Sequence, residues 1–415
     1  MIIATNGYPY GGEKSFVLPE LKYLKDTFDI IILAHLKKTE TDESVDKDFP
    51  KQIKCLKMER PALTFKDKFK AVCKYLFDAD GKCELKEIFK EKRLRKERIY
   101  QSLSFYAQAL KDQKALAECG VFAENQPIVY YSFWYDYFCY SAVRESRKYR
   151  NVRIITRTHG YDLYNERIPG GRQPFRHQME AGVDKVVFAC QFAKDYYTRE
   201  IAGKNCPDKK MAVSRLGVEA VNYRMPLGNG KEWNILSCSN VIALKRINII
   251  IDALSLIDDY IIKWSHIGDG EQMQEIESYA KEKLGNKKNI IFCFLGKMDN
   301  DKVHQYYREH QVDLFITTSA TEGGCPVSIQ EAMAYAVPVM GTAVGGITEM
   351  LAGEDMCLPA DANVYEVVNA ITSLCAATGA RLQELKDISY GEWDKDYNAK
   401  RNVREIYKIL VDDEI

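Results

Sequence analysis

The sequence predicts an α/β chain of two domains, each built on parallel strands. Three observations carry this. A chain of 415 residues is long for one domain and comfortable for two, and 46% apolar residues let each half build a core. Short apolar strands repeatedly run into Gly-rich loops and then into helical patterns. Ile2 to Thr5 precedes Asn6-Gly-Tyr-Pro-Tyr-Gly-Gly-Glu and a helix from Ser15 to Leu24; Asn234 to Asn240 precedes a helix running through Ile257. Residues 314–346 form a whole strand–loop–helix–strand–loop unit. Leu314 to Ile316 and Val337 to Met340 read as its strands, Thr317 to Pro326 as a turn-rich loop, Val327 to Ala336 as its helix, and Gly341 to Gly346 as a second Gly-rich loop.

Composition bounds the function. The net charge is +0, so no bulk field favours nucleic acid. Twelve cysteines show no Cys-x-x-Cys pair and no regular framework, which reads as free thiols in a reducing cytoplasm. Met1 to Asn6 lacks the basic start of a signal peptide, and no apolar run approaches the ~18 residues of a membrane span.

In chain order, Asp29 to Ala34 reads as the second strand and residues 38–61 as irregular and polar. From Phe65 to about Gln113 the pattern is helical. Between Lys66 and Arg98 there are 12 Lys and Arg against 7 Asp and Glu, with Phe65, Phe69, Val72, Cys73 and Leu76 at helical spacing. Such a stretch can lie on an anionic membrane surface; it can equally be an ordinary helix with a solvated basic face. Ile128 to Ser132 is a strand, followed by aromatics read as core apart from Trp134. A strand ends at Arg157, and His159-Gly160 stands just past its mouth. Strand Val183 to Ala189 and helix Gln191 to Glu200 follow. Asn222 to Lys231 reads as a linker, Ala360 to Cys375 as a helix, and Glu392 to Leu410 as one last helix.

Open parallel sheets bind ligands beyond the carboxyl ends of their strands. Glu322 and Glu331 bracket the loop after Ile316. Helix N-termini attract phosphate, whereas carboxylates suit the neutral hydroxyls of a ribose or hexose, so the pattern outlines a sugar-nucleotide site. The plainer alternative is a well-made βαβ unit whose glycines only make turns. Lys245 and Arg246 fall at the N-terminal turn of the helix after Asn240, where the dipole disfavours cations by about 0.3–1 kcal/mol. Two cations there suggest a held anion such as a diphosphate; ordinary surface charge is the alternative. There is no Gly-x-Gly-x-x-Gly nicotinamide fingerprint.

Pro326-Val-Ser-Ile-Gln-Glu-Ala-Met-Ala and Val337-Pro-Val through Gly346 resemble the signature of retaining glycosyltransferases of family 4, and the resemblance extends over most of the chain. It implies the GT-B fold, two Rossmann-like domains facing each other across a cleft. They would be an acceptor domain over 1–218 and a nucleotide-sugar domain over 219–391, with a terminal helix, 392–415, crossing back to the first. The resemblance places Gly11, Gly12 and Glu13 in a loop at the cleft and His159 on the transferred sugar. Lys245 and Arg246 go to the diphosphate, Gly296 and Lys297 to the base, and Glu331 to the ribose. Glu322 and the loop N–H groups of Gly323, Gly324 and Cys325 would hold the sugar, and Pro326 and Val327 complete the donor loop. His159, Glu322, Lys245 and Arg246 would then be the catalytic set.

The implied donor is a nucleotide diphosphate sugar with no metal required, because the basic pair replaces it. The implied acceptor is a glycan or lipid-linked molecule in surface polysaccharide or glycolipid synthesis, with no nucleic acid involved. The expected location is cytoplasmic, either free or, through the basic helical stretch, peripheral at the inner face of the cell membrane. One departure stands out: eight residues separate Glu322 from Glu331, where the family has seven. A bulge at Gly323-Gly324 would restore the reach of Glu322. The other readings are a sugar-nucleotide epimerase or phosphorylase on the same fold, or a non-catalytic sugar-nucleotide binding protein.

Overall fold

The computed structural model describes residues 1–36, 44–60, 63–90, 95–203, 206–351 and 356–411. The chain divides into two compact units, Met1–Ser214 with the C-terminal segment from Val403, and Arg215–Asn402.

The first unit is built on a parallel sheet of β1 (Ile2–Thr5), β2 (Ile31–Leu36), β3 (Lys54–Glu59), β4 (Ile128–Ser132), β5 (Val152–Thr158), β6 (Lys185–Phe188) and β7 (Met211–Val213). Their spatial order is β3-β2-β1-β4-β5-β6-β7. Central strands of parallel sheets are covered on both faces and read as continuous apolar runs, and all four residues of β1 are buried. Edge strands obey a weaker rule. Among the described residues β3 pairs only with β2, and of its six residues only Met58 is fully buried. Its lysines and Glu59 make it look irregular in sequence, so the expectation of no strand across 38–61 is corrected here; residues 37–43 and 61–62 lie outside the described residues. Helices Phe65–Phe77, Ala79–Lys90 and Arg95–Cys119 come between β3 and β4. The core joins Ile3, Leu21, Ile32 and Ile155 to Val403, Ile406 and Leu410 of the last helix.

The second unit has β8 (Glu232–Cys238), β9 (Ile261–Ile267), β10 (Ile290–Phe294), β11 (Leu314–Thr317), β12 (Val339–Thr342) and β13 (Cys357–Leu358), in the parallel order β10-β9-β8-β11-β12-β13. In both sheets the chain starts at the middle, runs to one edge, then returns to build the other side. The reversal falls between β1 and β4 in the first sheet and between β8 and β11 in the second. A topological switch point of this kind opens a crevice at the carboxyl ends of its two strands.

Three further boundaries differ from the sequence reading. The segment 222–231 is packed rather than a free linker: Met225 N–H donates to the Tyr335 carbonyl at 2.8 Å, and Gln311 holds the Pro226 carbonyl at 3.0 Å. The unit boundary accordingly falls at Ser214/Arg215. Helix Gly379–Glu392 precedes a π-helical turn, Trp393–Tyr397, and the expected single helix from Glu392 to Leu410 is broken at Asn398. There the backbone leaves helical geometry to bridge Val218, and the last helix restarts as Ala399–Val411. Among the described residues no helix is long and apolar enough to cross a membrane.

Candidate functional site

In the second unit the parallel strands deliver their following loops to one end of the sheet. Lys245 closes the 3-10 turn Ala243–Lys245 after β8, and Glu322 lies in the loop after β11. These are the two strands of the switch point, and the Lys245 ammonium donates to a Glu322 carboxylate oxygen across it. The two loops are also joined through the backbone, Ala320 N–H to the Leu244 carbonyl at 2.8 Å. The expected cation and the expected sugar-binding carboxylate are therefore partners.

Arg246 is placed differently from expectation. It sits in the left-handed region, φ 47°, at the N-cap of helix Ile247–Ser255, a conformation costing a non-glycine residue roughly 1–2 kcal/mol. Its guanidinium donates to the carbonyls of Thr318 at 2.7 Å, Ser319 at 3.1 Å and Ala360 at 2.9 Å, and Thr318 Oγ1 donates back to the Arg246 carbonyl at 2.9 Å. These bonds hold the strained backbone and spend the cation on protein carbonyls. Of the two predicted diphosphate ligands, only Lys245 has its charge set against a side chain that a ligand can displace.

Glu331 stands on helix Val327–Ala334 and is buried. One carboxylate oxygen accepts from Asn300 Nδ2 at 2.5 Å. Burial pushes its pKa from 4.5 to about 7, against the opposing pull of Asn300. Ligand hydroxyls donate to the ionised form, so a ligand held there should bind more tightly as pH rises from 6 to 8. In Glu331→Gln the pH dependence through 7 should vanish, which titration calorimetry at several pH values measures. A parent protein with pH-independent affinity over that range would remove Glu331 from the binding site.

The Gly-rich loops pack on each other. A Cβ on Gly346 would meet the Gly324 carbonyl carbon and oxygen at 2.5 Å, and one on Gly345 would meet the Glu322 carbonyl oxygen at 2.1 Å. Gly345 has φ 55°, whereas Gly323 and Gly324 are not among the residues at positive φ. Gly324 is approached closely by Gly346, and Glu322 reaches Lys245 with neither Gly323 nor Gly324 in the left-handed region. Cys325 is buried with Sγ 3.6 Å from the Gly346 carbonyl, and Pro326 is the N-cap of the helix that starts at Val327. After β10, Gly296 adopts φ 70° and its carbonyl accepts from Gly268 N–H at 2.9 Å.

The first unit repeats the logic at its own switch point. Gly11 and Gly12 follow β1, and Glu13, at φ 72°, is the N-cap of helix Lys14–Leu24. A Cβ on Gly12 would meet nothing within 4 Å, so packing does not demand glycine there. Glu13 is fixed at both oxygens, by Asn6 N–H at 2.7 Å and, from the loop after β4, by Trp134 Nε1 at 2.5 Å. Burial lifts its pKa to about 7. The Trp134 ring lies 4.4 Å from His159 and 4.8 Å from Tyr161. Asp162 accepts the backbone N–H groups of Tyr135 and His159, each at 2.9 Å, and so fixes the loop that carries His159.

Burial, with Arg157 adding to it, depresses the His159 pKa to about 3, so the ring is neutral at working pH. Neither ring nitrogen has a hydrogen-bond partner among the described residues. Buried polar atoms without partners are rare in native proteins, and a ligand is one way to satisfy them. Asn300 was not singled out by the sequence; it starts helix Asn300–Glu309 and has no local motif. Glu13 and Trp134 are visible in the sequence as a loop glutamate and a strand-end aromatic, but their pairing joins residues 121 apart. Among the described residues no three His, Cys, Asp or Glu groups gather as a metal site.

Two Rossmann-like units with these sheet orders have the GT-B fold of glycosyltransferases. Residues 233–377, within the second unit, match the family Glycosyl transferases group 1. The chain is 22% identical over 162 residues to the amylovoran biosynthesis glycosyltransferase AmsK of Erwinia amylovora, covering 37% of this chain and 39% of the relative. It is 24% identical over 210 residues to the putative colanic acid biosynthesis glycosyltransferase WcaL of Salmonella typhimurium, covering 48% and 49%. The chain thus spans less than half the length of these relatives. The structure of HepE from Anabaena in complex with UDP and glucose superimposes with a TM-score of 0.68 at 12% identity, covering 99% of this chain and 98% of HepE.

Proposed function

We propose that the protein transfers a sugar, with retention of anomeric configuration, from a nucleotide diphosphate sugar to a glycan or lipid-linked acceptor in surface polysaccharide or glycolipid synthesis. The observation that carries this is the Lys245–Glu322 pair across the switch point of the second sheet, beside a helix that buries Glu331. A cation held by a carboxylate is a ready diphosphate site, since phosphate oxygens can replace the carboxylate. The biosynthetic names of AmsK and WcaL, and the UDP and glucose bound to HepE, support the donor class and the setting.

In this reading Lys245 stabilises charge growing on the leaving diphosphate, the kind of electrostatic help that is often the largest catalytic term. Glu331 accepts from ribose hydroxyls. Glu322, released by Lys245, accepts from sugar hydroxyls beside Gly323, Gly324 and Cys325, and Gly296 borders the base. His159 offers a neutral ring nitrogen to a hydroxyl. No covalent intermediate is invoked.

The test is a thermal-shift screen of the full chain against a panel of sugar nucleotides, followed by product analysis with and without acceptor. A donor at 100 times its Kd should stabilise by about 2.7 kcal/mol. Stabilisation by no sugar nucleotide would sink the reading; product from donor alone would make the protein an epimerase or hydrolase instead. With the donor in hand, His159→Ala should lower turnover by ~10–100-fold and leave free-nucleotide affinity within about twofold. Unchanged turnover would exclude the histidine from the chemistry.

A further inference from the structure

The helix Phe65–Phe77 presents its apolar stripe to solvent. Phe65, Phe69, Val72 and Leu76 recur at spacings of four, three and four, which lines them along one face. They are 85%, 63%, 38% and 51% exposed. The helix is held to the protein by a neighbouring strip, where Ala71 and Tyr75 are buried and the Tyr75 hydroxyl meets Ser102 Oγ at 2.7 Å. Amphipathic helices ordinarily turn the apolar stripe inward. Here Phe77 is exposed as well, and so is Phe89 on the next helix. Exposed apolar surface of this kind marks an interaction site.

The charges say what kind. The sequence interleaves acids with lysines, but the fold sorts them. Asp67 caps the helix and pairs with Lys111 at 2.7 Å. Asp78 and Asp80 pair with Arg144 at 2.7 and 3.0 Å, Glu84 pairs with Arg172, and Glu87 with Lys90 at 2.6 Å. Every described acid from Asp67 to Glu87 thus has a basic partner, while Lys66, Lys68, Lys70 and Lys74 are exposed. At about 100° per residue Lys66 and Lys68 flank the apolar stripe on its two sides, whereas Lys74 lies on the opposite side of the helix. Residues 91–94 lie outside the described residues. A second copy of the chain would set lysines against lysines. An anionic lipid surface complements both features, because headgroups take the cations and the acyl boundary takes the aromatics.

We propose that this helix docks the protein on an anionic lipid surface, with Phe65, Phe69, Val72 and Leu76 entering the acyl boundary and Lys66 and Lys68, on its two flanks, among the headgroups. The inference deepens the acceptor half of the proposed function by giving a lipid-linked acceptor a place to be met. It is read from vesicle binding without turnover, so either can fail alone.

The experiment is vesicle flotation of the full chain with phosphatidylcholine alone and with phosphatidylcholine mixed with phosphatidylglycerol. Binding is expected to the mixed vesicles only, and to weaken as salt rises. Phe69→Ser with Leu76→Ser should lower it at least ~10-fold. Lys66→Gln with Lys68→Gln should lower it by ~25-fold, at about fivefold per lysine near the surface. All four side chains are exposed, so circular dichroism and Tm should match the parent. Failure to bind mixed vesicles at low salt overturns the proposal, as does binding unaffected by both variants. If Phe69→Ser with Leu76→Ser disrupts self-association but leaves vesicle binding intact, the face is a protein interface and the proposal is wrong.

Discussion

Replacing Lys245 with alanine is expected to cut turnover by about 10²–10³-fold and to weaken binding of the free nucleoside diphosphate, with the fold intact. The side chain is partly exposed and its bonded partner is Glu322, so removing it leaves a carboxylate that water can reach rather than a core defect. The loss arises because a developing diphosphate charge then faces Glu322 with no cation between them. The same reading gives no step to a metal ion, so chelation by EDTA should leave parent turnover unchanged. Steady-state kinetics and calorimetry on Lys245→Ala decide the matter. A variant that binds the diphosphate as tightly as the parent would remove Lys245 from the site.

Arg246→Ala should behave in the opposite way. Its guanidinium satisfies three backbone carbonyls that join the loops after β8 and β11 to the segment at Ala360. Deleting it leaves those acceptors short, at about 1 kcal/mol or more each. The expected result is a lower Tm, with turnover per folded molecule far less affected than in Lys245→Ala. The two adjacent cations look equivalent in sequence, and only their partners separate them.

That contrast shows where sequence stops being legible. The buried strands β1, β4 and β11 are apolar runs, and the glycines after β1 and β11 mark the loops that carry Glu13 and Glu322. Local pattern suffices there because each element buries its own residues. It fails where a residue answers to a distant partner. The carbonyls that consume Arg246 lie 72, 73 and 114 residues away, and Trp134 finds Glu13 across 121. It fails also at β3, an edge strand whose polar residues meet solvent, and at Asn398, where a bridge to Val218 interrupts a helix of otherwise suitable composition. The acids between Asp67 and Glu87 mask the basic helix in sequence because partners such as Arg144 and Arg172 lie outside the segment.

Glu322→Gln should separate binding from chemistry. The substitution keeps the shape of the side chain and removes the charge that neutralises Lys245. An ammonium freed from its carboxylate is a better phosphate ligand, because the incoming anion no longer competes with a fixed one. Affinity for the free nucleoside diphosphate should therefore hold or rise, by up to ~10-fold. Turnover should nonetheless fall by about 100-fold, since an amide accepts hydrogen bonds from sugar hydroxyls more weakly than a carboxylate and its N–H₂ adds misdirected donors. Lys245→Ala lowers both quantities, so the two variants have opposite binding signatures at the two ends of one ion pair. Calorimetry with the free diphosphate, set beside initial rates with donor and acceptor, measures the contrast. Full activity in Glu322→Gln would mean that the eight-residue spacing to Glu331 has moved the sugar contact to another residue; weakened diphosphate binding would mean that Glu322 orients Lys245 rather than competing for it.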